Sequence, residues 1–74
     1  MNPTTQAIIN RLPPKPILIP DEIAGAFGMR SSNPILDAIK RGKLMAATVG
    51  GKFYISHGEA ERYIAATEYK AQEA

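Results

Sequence analysis

The hydrophobic and polar positions of residues 20–28 have the spacing of a short amphipathic helix. In the segment PDEIAGAFG, Ile23, Ala24 and Phe27 fall at positions i, i+1 and i+4, on one helical face. The proline that opens the segment suits a first helical turn, and the glycine that closes it suits a left-handed C-terminal residue. Gly25 costs roughly 1 kcal/mol relative to alanine inside a helix. One reason for a helix to accept this cost is the close approach of another backbone.

A second helical pattern is predicted from about residue 34 to residue 41. Its apolar side chains repeat at i, i+3 and i+4: Ile35, Ala38 and Ile39. Its outer side carries the other long side chains: Leu36, Asp37, Lys40 and Arg41. Asn33 followed by proline suits a helix cap, with Ser32 as the competing cap. Two short helices joined by a turn that contains Gly28 predict either a helix-turn-helix or a plain helical hairpin, and residues 20–42 alone do not separate these.

The next stretch, KLMAATVGGKFYIS, has the pattern of a β-hairpin. Residues 44–49 can pair with residues 52–55 across Gly50-Gly51, because two glycines accept the positive φ of a two-residue turn. Alternation places Phe53 and Ile55 on one face, toward the core, and Lys52 on the other. A lone hairpin is barely stable in water, so we expect it to pack against the helices. This arrangement predicts a winged helix-turn-helix of class α+β: two short helices, a two-stranded wing and a closing helix.

Both ends of the chain are predicted from capping residues and prolines. Asn2-Pro3 can start a short helix, and three prolines between residues 13 and 16 end it. We predict that residues 1–16 form an arm that is ordered only if something holds it. Ser56, with Glu59 three residues later, is a capping-box pattern for a closing helix from about residue 57 to 67. Residues 17–67 would form the domain and residues 68–74 a frayed tail.

Length and composition restrict the function classes. The chain has 74 residues and no cysteine, so we expect one small domain without disulfides or thiolate zinc sites. It has no apolar run near the roughly 20 residues of a membrane span and no pattern of a secretory signal, so we expect a cytoplasmic protein. We find no phosphate-loop motif and no nucleophile with an evident base, so we predict neither an enzyme nor a cofactor, metal or small-molecule substrate.

Charge is unevenly distributed along the chain. The formal net charge is only +2, but residues 30–52 carry five cations and a single acid, Asp37. Residues 59–74 carry four acids and two cations. One interpretation is an ordinary solvated surface. The other is a nucleic-acid footprint in the middle of the chain, with an acidic tail that phosphate repels.

Four ordered blocks resemble the excisionase family, small winged-helix proteins with a MerR-like DNA-binding core. These blocks are PDEIAGAFGM, RSSNPILDAIKRGKL, MAATVGGKFYIS and GEAERYIAA, and they cover roughly residues 17–66. Within them, Glu22-Ile23-Ala24 matches the start of the family's first helix, and Gly51-Lys52 matches its wing tip. Many family members carry Arg or Lys where Leu36 and Asp37 stand, so this chain departs from the pattern there.

The resemblance implies a recombination directionality factor. Such proteins bind and bend attachment-site DNA, often as several adjacent copies, and direct a tyrosine recombinase (integrase) toward excision of a mobile element. The implied partners are double-stranded DNA, an integrase and further copies of the chain, which would make the protein nucleoid-associated when bound. Two alternatives stay open: a MerR-like transcriptional regulator, and a phage or adaptor protein-interaction module without a DNA role.

Candidate contact residues follow from the helix-turn-helix pattern. The recognition helix and its turn would present polar, basic and methyl-contacting side chains to DNA: Arg30, Ser31, Ser32, Asn33, Leu36, Asp37, Lys40 and Arg41. The wing and its flank would contribute Lys43, Gly50, Gly51 and Lys52, with Lys52 entering the minor groove. Asp37 could instead orient Arg41 or Arg30. The apolar side chains of the arm, Ile8, Ile9 and Leu12, would contact a second copy or the integrase in a head-to-tail assembly.

Overall fold

The first helix, α1 (Pro3–Asn10), begins where its capping residues predict. The Asn2 side chain accepts hydrogen bonds from the backbone N–H of Thr5 (2.8 Å) and from the Thr5 hydroxyl (2.9 Å). The computed structural model describes residues 2–69, and the predicted frayed tail therefore lies mostly outside the described residues. In its described part, the Glu68 carboxylate accepts a hydrogen bond from the N–H of Asn2 (2.6 Å). The two ends of the described chain are therefore joined.

Three further helices and three strands follow α1, and their bounds agree closely with the sequence pattern. In chain order they are β1 (Ile17–Leu18), α2 (Pro20–Phe27), α3 (Asn33–Lys40), β2 (Ala47–Val49), β3 (Lys52–Ser56) and α4 (His57–Ala66). Residues 2–69 thus form a small α+β domain with four helices and one antiparallel sheet. Within residues 2–69 every helix is far too short to cross a membrane.

The sheet has three strands in the order β1-β3-β2, whereas the sequence predicted only the two-stranded hairpin. Leu18 pairs with Ile55 across β1 and β3, and Val49 pairs with Lys52 next to the hairpin turn. Gly50 and Gly51 have φ values of 58° and 78°, as the predicted two-residue turn requires. The first hairpin strand begins at Ala47 rather than at residue 44.

Two glycines with positive φ end helices α2 and α3. After α2, Gly28 (φ 78°) donates its N–H to Gly25 O (3.0 Å). After α3, Gly42 (φ 76°) donates its N–H to Ile39 O (3.1 Å), and the N–H of Lys43 reaches Ala38 O (2.9 Å). Both are glycine-ended C-terminal turns of the kind predicted for these positions.

One hydrophobic core joins all the helices to the inner face of the sheet. The largest side chains with less than 2% exposure are Leu18, Ile23, Ile35, Leu44, Ile55 and Ile64. The Phe27 and Tyr63 rings meet edge to face at a centroid distance of 6.3 Å beside this core. The predicted buried faces of α2 and α3 are therefore correct in their main positions.

The N-terminal segment, predicted as an arm that is ordered only if something holds it, packs into this core. Ile9 (9% exposed) and Leu12 (5% exposed) are core residues, and Ile8 is half-buried against them. Helix α1 packs on α4 and α2. The prediction rested on an excess of apolar residues that the domain did not need, but these side chains close one side of the domain. The surface for a second copy or an integrase predicted at Ile8, Ile9 and Leu12 is therefore not available while α1 is docked.

Two smaller predictions also need correction. Asn33 is not the cap of α3: its own N–H donates to the Ser31 hydroxyl (3.1 Å), and Ser32 occupies the cap position. Ser56 does cap α4 by accepting from Glu59 N–H (3.1 Å), but the reciprocal half of the capping box is replaced. The Glu59 carboxylate accepts instead from the N–H of Met45 (3.0 Å).

Candidate nucleic-acid interface

A groove of about 510 Å³ runs between α3 and the β-hairpin, and we call it the α3–hairpin groove. It brings together segments that are far apart in sequence. Its lining comprises Ile19, Pro20, Asp21, Ser32, Leu36, Lys40, Gly51, Lys52, Phe53 and Tyr54. Five of the predicted DNA-contact residues therefore share one surface: Ser32, Leu36, Lys40, Gly51 and Lys52.

Helical spacing explains which α3 side chains reach the groove. Ser32, Leu36 and Lys40 are separated by four residues each, so they form one line along the helix. Leu36 is half-buried, and Phe53 of β3 is half-buried in the same groove. The middle of the groove is therefore apolar. Along α3, polar Ser32 lies at one end of this section and the cation Lys40 lies at the other.

Among the described residues, no carboxylate neutralises the charges of the two lysines of the groove. Within residues 2–69, neither Lys40 nor Lys52 lies within 4.0 Å of a carboxylate, whereas Lys15, Arg41 and Arg62 each form an ion pair. Both lysines are exposed. The groove therefore presents two solvated ammonium groups to any anionic ligand.

Asp37 and Arg41 occupy a different part of the α3 surface. The Arg41 Nε lies 2.9 Å from Asp37 Oδ2, and both side chains are more than half exposed. Of the alternatives for Asp37, the pairing with Arg41 is thus the one present in the structure. Such an exposed i, i+4 pair contributes only about 0.3–0.5 kcal/mol, so it leaves both groups available for exchange with other partners.

A second, shallower cleft lies at the turn between α2 and α3, and we call it the turn cleft. It is lined by Asp21, Ala24, Gly25, Met29, Arg30, Ser31 and Ser32. Arg30 is exposed and, among the described residues, has no carboxylate within 4.0 Å. Asp21 and Ser32 line both the turn cleft and the α3–hairpin groove. The predicted turn residues therefore continue the surface on which Lys40 and Lys52 lie.

Lys43 lies apart from these cations. It lines a cleft with Met45 and with the α4 residues Arg62 and Tyr63. Its carbonyl oxygen accepts a hydrogen bond from Arg62 Nη2 (2.9 Å). The structure thus separates the predicted wing-flank residue Lys43 from the wing-tip residues that line the α3–hairpin groove.

The loop between α3 and β2 is held to α4 by an ion pair. Glu59 accepts from Met45 N–H and from Arg62 Nε (2.8 Å), while Arg62 also donates to the Lys43 carbonyl. The Arg62 hydrogen bonds, followed by the Met45 N–H, lower the pKa of Glu59 from 4.5 to about 2. These contacts fix the start of β2, and hence the hairpin, relative to the helices.

We expect Glu59→Gln to lower the free energy of unfolding by about 1–2 kcal/mol at pH 7, because a charge-assisted contact becomes a neutral one. Since the native pKa lies below the unfolded one, the stabilisation is complete above pH 4.5 and is lost as the pH falls toward 2. Urea denaturation between pH 2 and pH 7 measures this difference. Asp37→Asn, which removes an exposed pair, should cost less than about 0.5 kcal/mol. Equal effects of the two variants would contradict this role of Glu59.

Several groove residues were not predicted as contacts from the sequence: Ile19, Pro20, Asp21, Phe53 and Tyr54. Asp21 lies four residues before Gly25, and this helical spacing indicated from the sequence that the two residues share one face of α2. Phe53 was assigned to the core from strand alternation, but it is only half-buried and also lines the groove. In a short, exposed hairpin, one side chain can pack toward the core and line the groove at the same time.

Comparison of the chain with protein-family models, with curated proteins and with solved structures gives no match. A function for the two clefts must therefore be argued from their own geometry and charge and from the sequence pattern.

Proposed function

We propose that this chain is a DNA-binding protein with a winged helix-turn-helix arrangement, in which α3 is the recognition helix and the β2–β3 hairpin is the wing. The observation that carries the proposal is that Lys40 and Lys52, twelve residues apart in the chain, line one groove without a carboxylate partner within residues 2–69. Cations that converge on an exposed surface without internal partners suit a phosphate backbone.

In the proposed complex, the N-terminal half of α3 lies in the major groove. Asn33 pairs with adenine, and Leu36 contacts a thymine methyl group. Lys40 and Arg30 contact phosphates on either side, and Lys52 at the hairpin tip enters the minor groove. Arg41, which the structure pairs with Asp37, serves as an additional exposed cation near the end of the helix.

The more specific proposal is an excisionase, and it rests on the resemblance of residues 17–66 to that family. The protein would bind and bend attachment-site DNA and direct a tyrosine recombinase toward excision, without performing bond chemistry itself. A domain this small makes few phosphate contacts, so several adjacent copies would be needed for useful affinity. Because α1 is part of the core, contacts between copies would have to use another surface than Ile8, Ile9 and Leu12.

Footprinting on the attachment-site DNA of the host element tests this proposal. We expect protection next to the integrase sites that extends in steps as protein is added, and a shift of an integrase reaction toward excision. Protection of a promoter without an effect on integrase would favour the alternative of a transcriptional regulator. Absence of any salt-dependent DNA binding would refute both.

A protein-interaction module remains the second candidate because part of the sheet surface is apolar and exposed. Ile17 (50% exposed), Met45 (72%) and Val49 (66%) lie on or beside the sheet. Ile17 and Met45 line a common shallow cleft with Tyr54. This candidate predicts that substitutions on the sheet surface abolish function while the substitution of Lys40 or Lys52 does not.

Asp21 should weaken DNA binding, because its carboxylate lines both of the clefts that hold these cations. We expect Asp21→Asn to raise the affinity for a mixed-sequence duplex several-fold at 0.1 M salt, and less at higher salt, because removing the carboxylate removes repulsion from phosphate. Fluorescence anisotropy at a series of salt concentrations measures the effect. Glu61→Gln on α4, which lies outside both clefts as the described residues form them, is the control and should change the affinity little. A lower affinity of Asp21→Asn would place the DNA on another face.

A further inference from the structure

Gly25 has no structural reason to be glycine. Four of the six glycines of the chain have positive φ and are required by turns: Gly28, Gly42, Gly50 and Gly51. Gly25 lies inside α2 with ordinary helical backbone, where glycine is less favourable than alanine. A Cβ added there would meet no atom within 4 Å among the residues that the structure describes. Within residues 2–69, no other backbone of this chain therefore makes the close approach that would explain the glycine.

The space above Gly25 is part of a cleft with polar and cationic sides. Gly25 is exposed and lines the turn cleft together with Arg30, Ser31 and Ser32. The Ser31 oxygen already accepts a hydrogen bond from Asn33 N–H, so its own hydrogen is available to an acceptor. A ligand that enters this cleft can thus contact the Arg30 guanidinium, the serine hydroxyl donors and the helix backbone at Gly25, which no side chain covers.

We propose that Gly25 is the contact point of a DNA phosphate group, which the missing side chain lets approach α2 while Arg30 and Ser31 bind it. This inference rests on the proposed function and adds to it the place on α2 where the phosphate bound by Arg30 would lie. The N–H groups inside a helix are already used by the helix, so Gly25 contributes room rather than a hydrogen bond. The turn cleft shares Asp21 and Ser32 with the α3–hairpin groove, so one duplex can lie along both.

The alternative ligand for such a cleft is a partner protein, whose backbone would equally use the space. Two observations favour phosphate: the cleft carries an exposed, unpaired guanidinium within residues 2–69, and it is continuous with the lysine-bearing groove. The Asp21 carboxylate repels an anion here. It is one negative charge, however, and the two clefts together carry three cations: Arg30, Lys40 and Lys52.

The test uses Gly25→Ala, with Gly58→Ala as a matched control. Gly58 is also an exposed helical glycine with open space around it among the described residues, but it lies in the first turn of α4, in neither cleft. We expect Gly25→Ala to raise Tm by about 4–8 °C, because alanine is the better helix former. Gly58→Ala should also raise Tm, although less, because it lies at the end of its helix.

Binding to a mixed-sequence 30-base-pair duplex, followed by anisotropy at several salt concentrations, gives the decisive readout. For Gly25→Ala we expect roughly five- to tenfold weaker binding at 0.1 M salt and a log K against log[salt] slope shallower by about one, as for one lost phosphate contact. Gly58→Ala should match the unmodified chain in both. Unchanged affinity and slope for Gly25→Ala, beside normal salt-dependent binding of the unmodified chain, would overturn this inference and leave the proposed function standing. Failure of the unmodified chain to bind the duplex would overturn both.

Discussion

Replacing Lys40 and Lys52 together with alanine should lower the affinity for DNA by roughly sixtyfold at 0.1 M salt. Each cation that neutralises a phosphate contributes a slope of about 0.9 to the dependence of log K on log[salt], which is roughly eightfold in affinity at that concentration. The two lysines reach one groove from α3 and from β3, and neither has a carboxylate partner among residues 2–69. Their effects should therefore add, and the slope should become shallower by nearly two.

Two further lysine and arginine variants make this measurement specific for the groove. Arg11→Ala removes an exposed cation at the end of α1 that lines neither the α3–hairpin groove nor the turn cleft, so affinity should fall less than twofold. Lys43→Ala removes a cation on the α4 side, and an effect as large as that of Lys52→Ala would extend the interface around the hairpin. If the double lysine variant binds like the unmodified chain, the DNA-binding face is not this groove.

Replacing Ile9 with alanine should destabilise the protein by about 2–5 kcal/mol, because it removes a core side chain and leaves a cavity. A domain of this size is stable by only roughly 4–11 kcal/mol, so this loss would be a large fraction of its free energy of unfolding. If residues 1–16 were instead an arm held only by a partner, the same substitution would leave stability unchanged. Urea denaturation of the full chain distinguishes these outcomes.

Ile17→Ala is the control for the same chemical change on the surface. Ile17 is 50% exposed, so its replacement should cost less than about 1 kcal/mol. A comparable loss for both variants would mean that α1 is not specifically docked. The result also bears on assembly: truncation of residues 1–14 would remove core packing, so any loss of cooperative DNA binding in such a truncation would reflect unfolding rather than a lost contact between copies.

Local patterns predicted most of the elements because their causes are local. Gly28, Gly42 and the Gly50-Gly51 pair end helices or turn the hairpin through their own φ values, and Asn2 and Ser56 cap helices by bonds to residues three positions away. The line Ser32, Leu36 and Lys40 likewise follows from helical spacing alone. These features need no knowledge of what lies elsewhere in the molecule.

Other features depend on contacts between distant residues, and the sequence left them open or indicated them wrongly. Whether α1 is an arm or core depends on whether α4 and α2 offer it a surface. The Glu59 carboxylate binds the N–H of Met45 instead of completing the capping box. This depends on where the loop between α3 and β2 passes Glu59. Local hydrogen bonds and helical periods are set by neighbours in the chain, whereas burial depends on how all elements pack together. That packing places Lys40 and Lys52 in one groove and leaves the space above Gly25 open.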